Sequence, residues 1–475
     1  MSEPVALPAI DGRASRVALL VYNDAHNDSR VLKTAASLRS AGAQVRIFAV
    51  ARGRAGYAEG QGLVGDGIHV DRAPEFELKR YAPWALAIAR RVTGRPTPPE
   101  EMPSTQRSTP VAAAPVATAP APTTAPIHSP SVATSSTATF NTAARRAVTD
   151  LWLRIFSVVS LSLYWLEAAR SAVAWKPDIV HANDGNTLAP AAWVSRVCGA
   201  KVVYDAHELW RHRNVRTDRP IAPFVEATIE KLAIARAAGV ITVSPSIATW
   251  LHEEYDLPVR PTLVRNIPRA PLGQVGAHAS TGQLRSMAGL AADTQVIAYG
   301  GRITTSRGIE DTLHALALLP TSTHFVLLGY GEPDYLATLH TLIADLGVAE
   351  RVHFVGAVAS DEVAEALADA DLSVVFVRPV CLSYEFSLPN KLFESIHAGL
   401  PIAAANLPDT AALVREHGVG EIFDLDSPAD MAATIAAVLA DPQRYHDAAT
   451  VAATKLTWQH EEEALLGLYS RMLGS

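Results

Sequence analysis

Ser387–Leu388–Pro389–Asn390–Lys391–Leu392–Phe393–Glu394, closed by Ala398–Gly399–Leu400–Pro401–Ile402, decides how this chain folds. A proline-led loop followed by apolar positions at helical spacing predicts an amphipathic helix with Lys391 and Glu394 in its first turns. Gly399–Leu400–Pro401 ends that helix, and Ile402 begins an apolar strand. A helix start presents unpaired N–H groups and a partial positive charge, which suits a phosphate. A carboxylate further in can bond a sugar hydroxyl. An ordinary loop–helix–strand unit with an incidental Lys and Glu has the same outline, so the remainder of the chain must decide between them.

Working outward, the second half alternates strand and helix. Val296–Tyr299, Thr323–Leu328, Val352–Val355 and Leu372–Val377 read as buried strands, separated by helical stretches at Ile309–Leu318, Pro333–Leu346 and Asp361–Ala368. The first half does the same: RVALLVY (Arg16–Tyr22), a helix over Ser29–Ser40 stopped by Gly42, a strand at Gln44–Val50, then PDIVH (Pro177–His181), KVVY (Lys201–Tyr204) and VITV (Val240–Val243). Alternation of this kind means parallel sheets with right-handed crossovers, whose ligands sit at the carboxyl ends of the strands.

At 475 residues, two domains are expected. The expected division is a flexible 1–15, a first Rossmann-like domain over 16–270, a second over 271–455, and a terminal helix over 456–475. The hinge is placed between Pro268 and Gly282, where Pro and Gly cluster. From Ser108 to Ala144 there is no Asp, Glu, Lys or Arg, and Ala, Pro, Ser and Thr dominate. A disordered insertion is expected over about 96–146, because such a composition buries too little apolar surface to offset ordering.

Apolar residues make up 49% and the formal charge is −7, with no long basic run, which argues against a nucleic-acid partner. Two cysteines, Cys198 and Cys381, form no disulfide framework and lie outside zinc-ligand spacing, so no metal is expected. Asp424–Leu425–Asp426 is read as a structural loop before a helix rather than as a metal pair. The N-terminus lacks a secretory pattern, and Leu151–Leu166, broken by Arg154, is too short to span a bilayer and reads as a core-facing helix. The expected location is cytoplasmic. The basic, aromatic Leu78–Arg91 is read as a solvated helix over the core, with a peripheral contact at the inner membrane face as the alternative.

Further chemistry clusters at strand ends. Gly300–Gly301–Arg302 follows a strand, and Ser306–Arg307–Gly308 opens the next helix. Glycines allow close backbone approach, and two guanidinium forks suit a diphosphate, although solvated arginines on a strand–turn–helix give the same string. Gly329–Tyr330–Gly331 lacks the third glycine of a dinucleotide fingerprint and reads as a tight turn. No glycine follows the first strand, which argues against a nicotinamide or flavin cofactor. His207, in Asp205–Ala206–His207–Glu208, sits where a strand end meets a cleft, and His181 and Asp184 end the preceding strand. A histidine packed in polar surroundings is the bland alternative.

Taken together these motifs resemble the nucleotide-sugar-dependent retaining glycosyltransferases of family 4, in the subgroup with SLPNK, over most of the chain outside the insertion. DSRVLKTAASLRSAGAQVRIFA (Asp28–Ala49), PDIVHAND, VVYDAHEL, GGR, SRGIED, LLGYG, VHFVG and SLPNKLFESIHAGLPI fall in that family's order. The resemblance implies an α/β GT-B fold: two Rossmann-like domains facing across a cleft, with the C-terminal helix around Trp458 crossing back to the first. It implies transfer of a sugar from a nucleotide-diphosphate sugar to an acceptor hydroxyl in glycan or glycolipid biosynthesis, with no cofactor. His207, Arg302 and Arg307 take the catalytic roles. Gly301, Gly329, Gly331, Ser387, Leu388, Pro389, Asn390, Lys391, Leu392 and Glu394 bind the donor, while Asn27, Arg30, His181 and Asp184 line the acceptor side. Two features depart from the family. Phe386 stands where the first of two paired glutamates is usual, leaving the backbone N–H groups of Ser387–Asn390 as phosphate ligands. A Gly-Gly loop after the first strand is missing. A nucleotide-sugar 2-epimerase and a non-catalytic nucleotide-sugar binder remain open on these residues.

Overall fold

The structure, a computed structural model, describes residues 6–26, 28–81, 136–215, 222–269 and 282–474. The first sheet contains β1 (Arg16–Leu20), β2 (Gln44–Val50), β3 (Gly60–Val64), β4 (Ile68–Ala73), β5 (Ile179–Asn183), β6 (Lys201–Ala206), β7 (Gly239–Thr242) and β8 (Thr262–Leu263). Their order is β3-β4-β2-β1-β5-β6-β7-β8, parallel except for the β3–β4 hairpin. The second sheet contains β9 (Gln295–Gly300), β10 (Thr323–Leu328), β11 (Val352–Gly356), β12 (Leu372–Val375), β13 (Ile402–Ala405) and β14 (Gly420–Phe423), ordered β11-β10-β9-β12-β13-β14 and parallel throughout. These are the two Rossmann-like sheets that the strand–helix alternation predicts.

In each sheet the chain runs outward to one side and then returns to the other. The reversal falls between β1 and β5 in the first sheet and between β9 and β12 in the second. A crevice opens at the carboxyl ends of strands at such a point. The loops carrying Asp184, His207, Arg302 and Arg307 all leave strand ends near these reversals.

The final helix, Trp458–Leu473, completes the core of the first sheet. Trp458, Leu465, Leu468, Tyr469 and Met472 pack with Val17, Ile47, Ile179 and Ile241. Trp458 Nε1 donates to Ser37 Oγ at 2.9 Å. Glu461 grips Arg265 through its Nε and Nη2 at 2.9 and 2.6 Å and accepts the Arg265 N–H at 2.6 Å, which pins the segment leaving the first sheet.

Three local expectations change. Residues 6–15 are tied down: Leu7 donates to Ala41 O at 2.9 Å, and Arg13 forks onto both oxygens of Asp178 at 2.8 Å. A helix runs over Ser136–Trp175, so the stretch expected to be disordered to 146 is helical from Ser136; residues 82–135 lie outside the described residues. Chain contacts group Met1–Glu75 with Tyr164–Ser475, and Phe76–Leu163 apart. Within the latter, the Phe76 ring lies 5.1 Å from Phe156 and 5.6 Å from Tyr81, while Ile155 and Val158 are 48% and 66% exposed. Leu151–Leu166 is therefore not core-facing along its length; burial begins at Tyr164 and continues through Ala168, Ala169 and Ala172. Of the basic Leu78–Arg91 segment, a helical turn at Leu78–Tyr81 is described, and the rest falls outside. No helix among the described residues is long and apolar enough to cross a membrane.

Candidate active site

Asp205 is buried near the end of β6, and strand alternation carries Asp205 and His207 to the same side. Arg30, from the first helix, reaches the two oxygens of Asp205 through Nε and Nη2 at 2.9 and 2.6 Å. Its Nη1 donates to Val264 O at 2.7 Å. His181 presents Nε2 to Asp205 Oδ2 at 3.3 Å and Nδ1 to the Tyr469 hydroxyl at 2.7 Å. His207 Nε2 lies 3.2 Å from the same Oδ2, close enough for attraction but without hydrogen-bond alignment. On its other side, His207 Nδ1 lies 3.3 Å from Asp184 Oδ2, and the His207 N–H donates to Asp184 Oδ1 at 3.2 Å.

Asp184 has φ 63° and ψ 165°, a conformation that L residues rarely hold without a reason. Its N–H bonds Asp205 O at 2.9 Å. Next to it, Gly185 leaves room for the Trp210 ring, where an added Cβ would sit 1.9 Å from a ring carbon.

These contacts sort the charges. Burial alone would lower the pKa of His207, but Asp184 and Asp205 more than offset it and push it up to about 10, so His207 is an imidazolium at neutral pH. His181 goes the other way: burial dominates over Asp205 and keeps it neutral. Asp205 stays well below the usual carboxylate range despite burial, held by Arg30 and His207. Glu208 is pushed up to about 7 by burial and by Asp184.

The second cluster lies at the start of the Asn390–His397 helix. Lys391 is 8% exposed; its Nζ donates to Phe376 O at 3.2 Å and sits 4.2 Å from the centre of the Tyr299 ring. Burial, then the charge of Arg307, lowers its pKa to about 7. Arg307 stacks over Tyr384 at 5.2 Å. Glu394 is raised to about 7 by burial, while Lys391 from its own helix and Lys33 from the first half both pull it down. Lys33 donates to Ile267 O at 2.5 Å, lies 4.8 Å from the Trp458 ring, and is itself lowered to about 7 by burial and by Arg30. Arg307, Lys391, Glu394 and Lys33 thus share one electrostatic neighbourhood built from both sheets' loops and helices.

Direct bonds also join the two halves here. Leu209, two residues after His207, donates its N–H to Ser383 Oγ at 3.2 Å. Ser244 Oγ donates to Phe386 O at 2.6 Å, and Ser246 bonds Asp409 from both N and Oγ at 2.9 Å.

Several expected assignments need correction. Arg30 and His181 do not line an open acceptor surface: they are 3% and 0% exposed and fully engaged around Asp205, because a buried carboxylate needs compensating donors. Leu388 and Leu392 are packed in the core with Phe393 and Ile396, and the Leu392 N–H is bonded to Pro389 O at 3.0 Å, so neither side chain faces a ligand. Ser387 has its N–H on Tyr384 O at 3.3 Å and its hydroxyl there at 2.8 Å. Among the described residues, no acceptor faces the N–H groups of Leu388, Asn390 or Lys391, which leaves these as the oriented donors of the loop.

Arg302 does not join the cluster; it pairs with Glu332 at 3.0 Å, with the two side chains 55% and 69% exposed. Gly329 and Gly331 serve close backbone packing: added Cβ atoms would lie 1.8 Å from Gly301 O and 2.7 Å from Ile303 O. Gly301 itself holds φ 119° at that crossing. Asn27 lies outside the described residues. Asp205, Lys33 and Glu208 were not singled out from sequence. The alternation of Asp205 with His207, and a lysine beside the apolar stripe Val31, Ala35, Leu38, are the signals available.

Comparison with known proteins bears on the family and the fold. Residues 294–441 match the family model "Glycosyl transferases group 1", and residues 119–269 match "Glycosyltransferase Family 4". The 2-deoxystreptamine glucosyltransferase of Streptomyces kanamyceticus is 27% identical over 313 residues, covering 63% of this chain and 79% of that one. A D-inositol 3-phosphate glycosyltransferase of Mycolicibacterium vanbaalenii is 31% identical over 201 residues, 40% of this chain and 43% of that one. The structure of sucrose-phosphate synthase from Thermosynechococcus elongatus superposes with a TM-score of 0.66 at 16% identity, over 97% of this chain and 99% of that one. Two facing Rossmann-like sheets bridged by a returning helix, with both halves matched separately by glycosyltransferase models, make this chain a glycosyltransferase of the GT-B fold.

Proposed function

We propose that the chain transfers a sugar from a nucleotide-diphosphate sugar to an acceptor hydroxyl with retention of anomeric configuration. The observation that carries this reading is the convergence of Arg307, Lys391, Glu394 and Lys33 at the free N–H end of the Asn390–His397 helix. In the reaction the bond from the sugar C1 to the diphosphate oxygen breaks, and a bond from C1 to the acceptor oxygen forms. The acceptor's proton leaves with the diphosphate. Negative charge grows on the leaving group, so cations and oriented amides aimed there lower the barrier. Lys391, whose pKa burial lowers to about 7, becomes fully charged once a diphosphate lies beside it. In this reading Glu394 bonds the nucleotide ribose.

Arg302 is available to the same diphosphate. An ion pair as exposed as Arg302–Glu332 is worth at most about 1 kcal/mol and yields readily to a better anion. His207, charged and with its side chain 21% exposed at the strand end, is suited to stabilise the negative charge that grows on the oxygen leaving the sugar. The relatives' names, 2-deoxystreptamine glucosyltransferase and D-inositol 3-phosphate glycosyltransferase, favour a small polyhydroxylated acceptor.

The test is turnover of UDP-, GDP- and ADP-sugars with and without a panel of cyclitol and glycan acceptors, following anomeric configuration by NMR. Acceptor-dependent product of retained configuration is expected, and Arg307→Ala should lower turnover about 10²-fold or more in a folded protein. Sugar epimerised without acceptor, or unimpaired turnover in the variant, would overturn the reading.

A further inference from the structure

Tyr469 belongs to the last helix, far from the loops that face the cleft, yet its hydroxyl is 2.7 Å from His181 Nδ1 and is buried with it. The two rings stack with 20° between their planes. Asp205, a carboxylate, only accepts, so the His181 nitrogen facing it carries the proton. His181 Nδ1 is then the lone pair, and Tyr469 must donate to it. This fixes the tautomer of His181 from outside the sheet. The Asp205 oxygen that His181 reaches is the one that His207 Nε2 approaches at 3.2 Å. Two imidazoles therefore share one carboxylate oxygen, one neutral and one charged.

We propose that Tyr469 is a positioning residue: by donating to His181 Nδ1 it fixes that ring with its Nε2–H toward Asp205, which holds the carboxylate where His207 meets it. The proposal rests on the transferase reading of His207. It makes the returning helix part of the reaction's machinery as well as of the fold.

Burial keeps His181 neutral, so the Tyr469 hydroxyl sets which ring nitrogen carries the proton rather than whether the ring is charged. Without it, Nδ1 loses its partner, and the ring can present a bare Nε2 to the Asp205 carboxylate, which repels it. The groups facing His207 are Asp184 from the end of β5, Asp205 from β6, and the neighbouring Glu208. Arg30 from the first helix and His181 from β5 act through Asp205. Of these, His181 is the one whose tautomer Tyr469 fixes.

The experiment compares the wild type with Tyr469→Phe, which keeps the ring and removes the donor. Nucleotide affinity is expected to be unchanged. The kcat is expected to fall roughly 3- to 10-fold at constant KM, the size of one lost hydrogen bond, and the 15N shifts of His181 are expected to lose the single Nε2–H tautomer. Trp458→Phe is the control: it removes another buried bond between the same helix and the first half, to Ser37, without touching the relay. That variant should lose thermal stability and keep both kcat and the His181 tautomer. An unchanged tautomer and kcat in Tyr469→Phe, or an equal loss in Trp458→Phe, overturns the proposal. Failure of the transferase reading looks different: His207→Ala would retain wild-type turnover, whatever Tyr469→Phe does.

Discussion

Lys391 and His207 show how the same fold sets two cations in opposite directions. Lys391 is buried against a ring and a carbonyl and near Arg307, so its folded-state pKa is near 7, below the ordinary 10.5. Bringing a diphosphate beside it restores the charged form, so binding must take up protons. Calorimetry of nucleoside diphosphate binding in buffers of different ionisation enthalpy should show net uptake at pH 8, smaller uptake at pH 6, and a clear loss in Lys391→Met. His207 is raised to about 10 from 6.5, so its contribution to stability is full below about 6.5 and is lost as pH rises through 10. Stability of His207→Gln should therefore fall less than that of the wild type between pH 7 and 10, measured by denaturant titration at each pH. An equal or steeper fall would contradict the assignment of charge. Lys33 and Lys391 act against this trend, since their burial penalty is relieved as pH rises from 7 toward 10.5, which makes the paired comparison with the variant essential.

Elements explain which parts of this arrangement were legible in the sequence. The strand–helix alternation and the glycine stops announce both parallel sheets, because buried parallel strands are continuous apolar runs and helices keep a 3.6-residue period. The cations of the SRG and SLPNK segments were legible for the same reason: a strand end leading into a helix start is a local feature. Partnership around Asp205 was not, since Arg30, His181, His207 and Tyr469 come from four distant segments and meet through sheet register and the returning helix. Nor was Lys33, whose partner Ile267 O lies 234 residues away. The returning helix is the element that closes the first half. Trp458 is 2% exposed and bonded to Ser37, so Trp458→Ala should cost about 3–5 kcal/mol of unfolding free energy, from lost packing plus an unfilled cavity. A loss under about 1 kcal/mol in chemical denaturation would mean that the helix is not part of the core. Gly185 is equally local in its demand: Gly185→Ala drives a Cβ into the Trp210 ring and should lower the melting temperature while displacing the Asp184 and His207 loops together.

At the scale of the whole molecule, the proposed function requires a chain of net charge −7 to attract a diphosphate, so the local cations at the mouth between the sheets have to outweigh the global field. Arg307 and Lys391 from the second sheet's loops, and Lys33 from the first helix, supply that local charge. Direct bonds between Leu209 and Ser383, Ser244 and Phe386, and Ser246 and Asp409 hold the two halves against one another around it. Affinity for a nucleoside diphosphate should accordingly fall with added salt, whereas affinity for the free nucleoside should not. The most direct measurement is calorimetric titration of the Arg307→Met, Lys391→Met double variant with whichever of UDP, GDP and ADP the wild type binds most tightly. The account predicts an affinity at least about 10²-fold weaker, at two lost charge-assisted contacts, with the fold and the nucleoside affinity preserved. A double variant that binds the diphosphate as tightly as the wild type would place the anion elsewhere and contradict the assignment of the site.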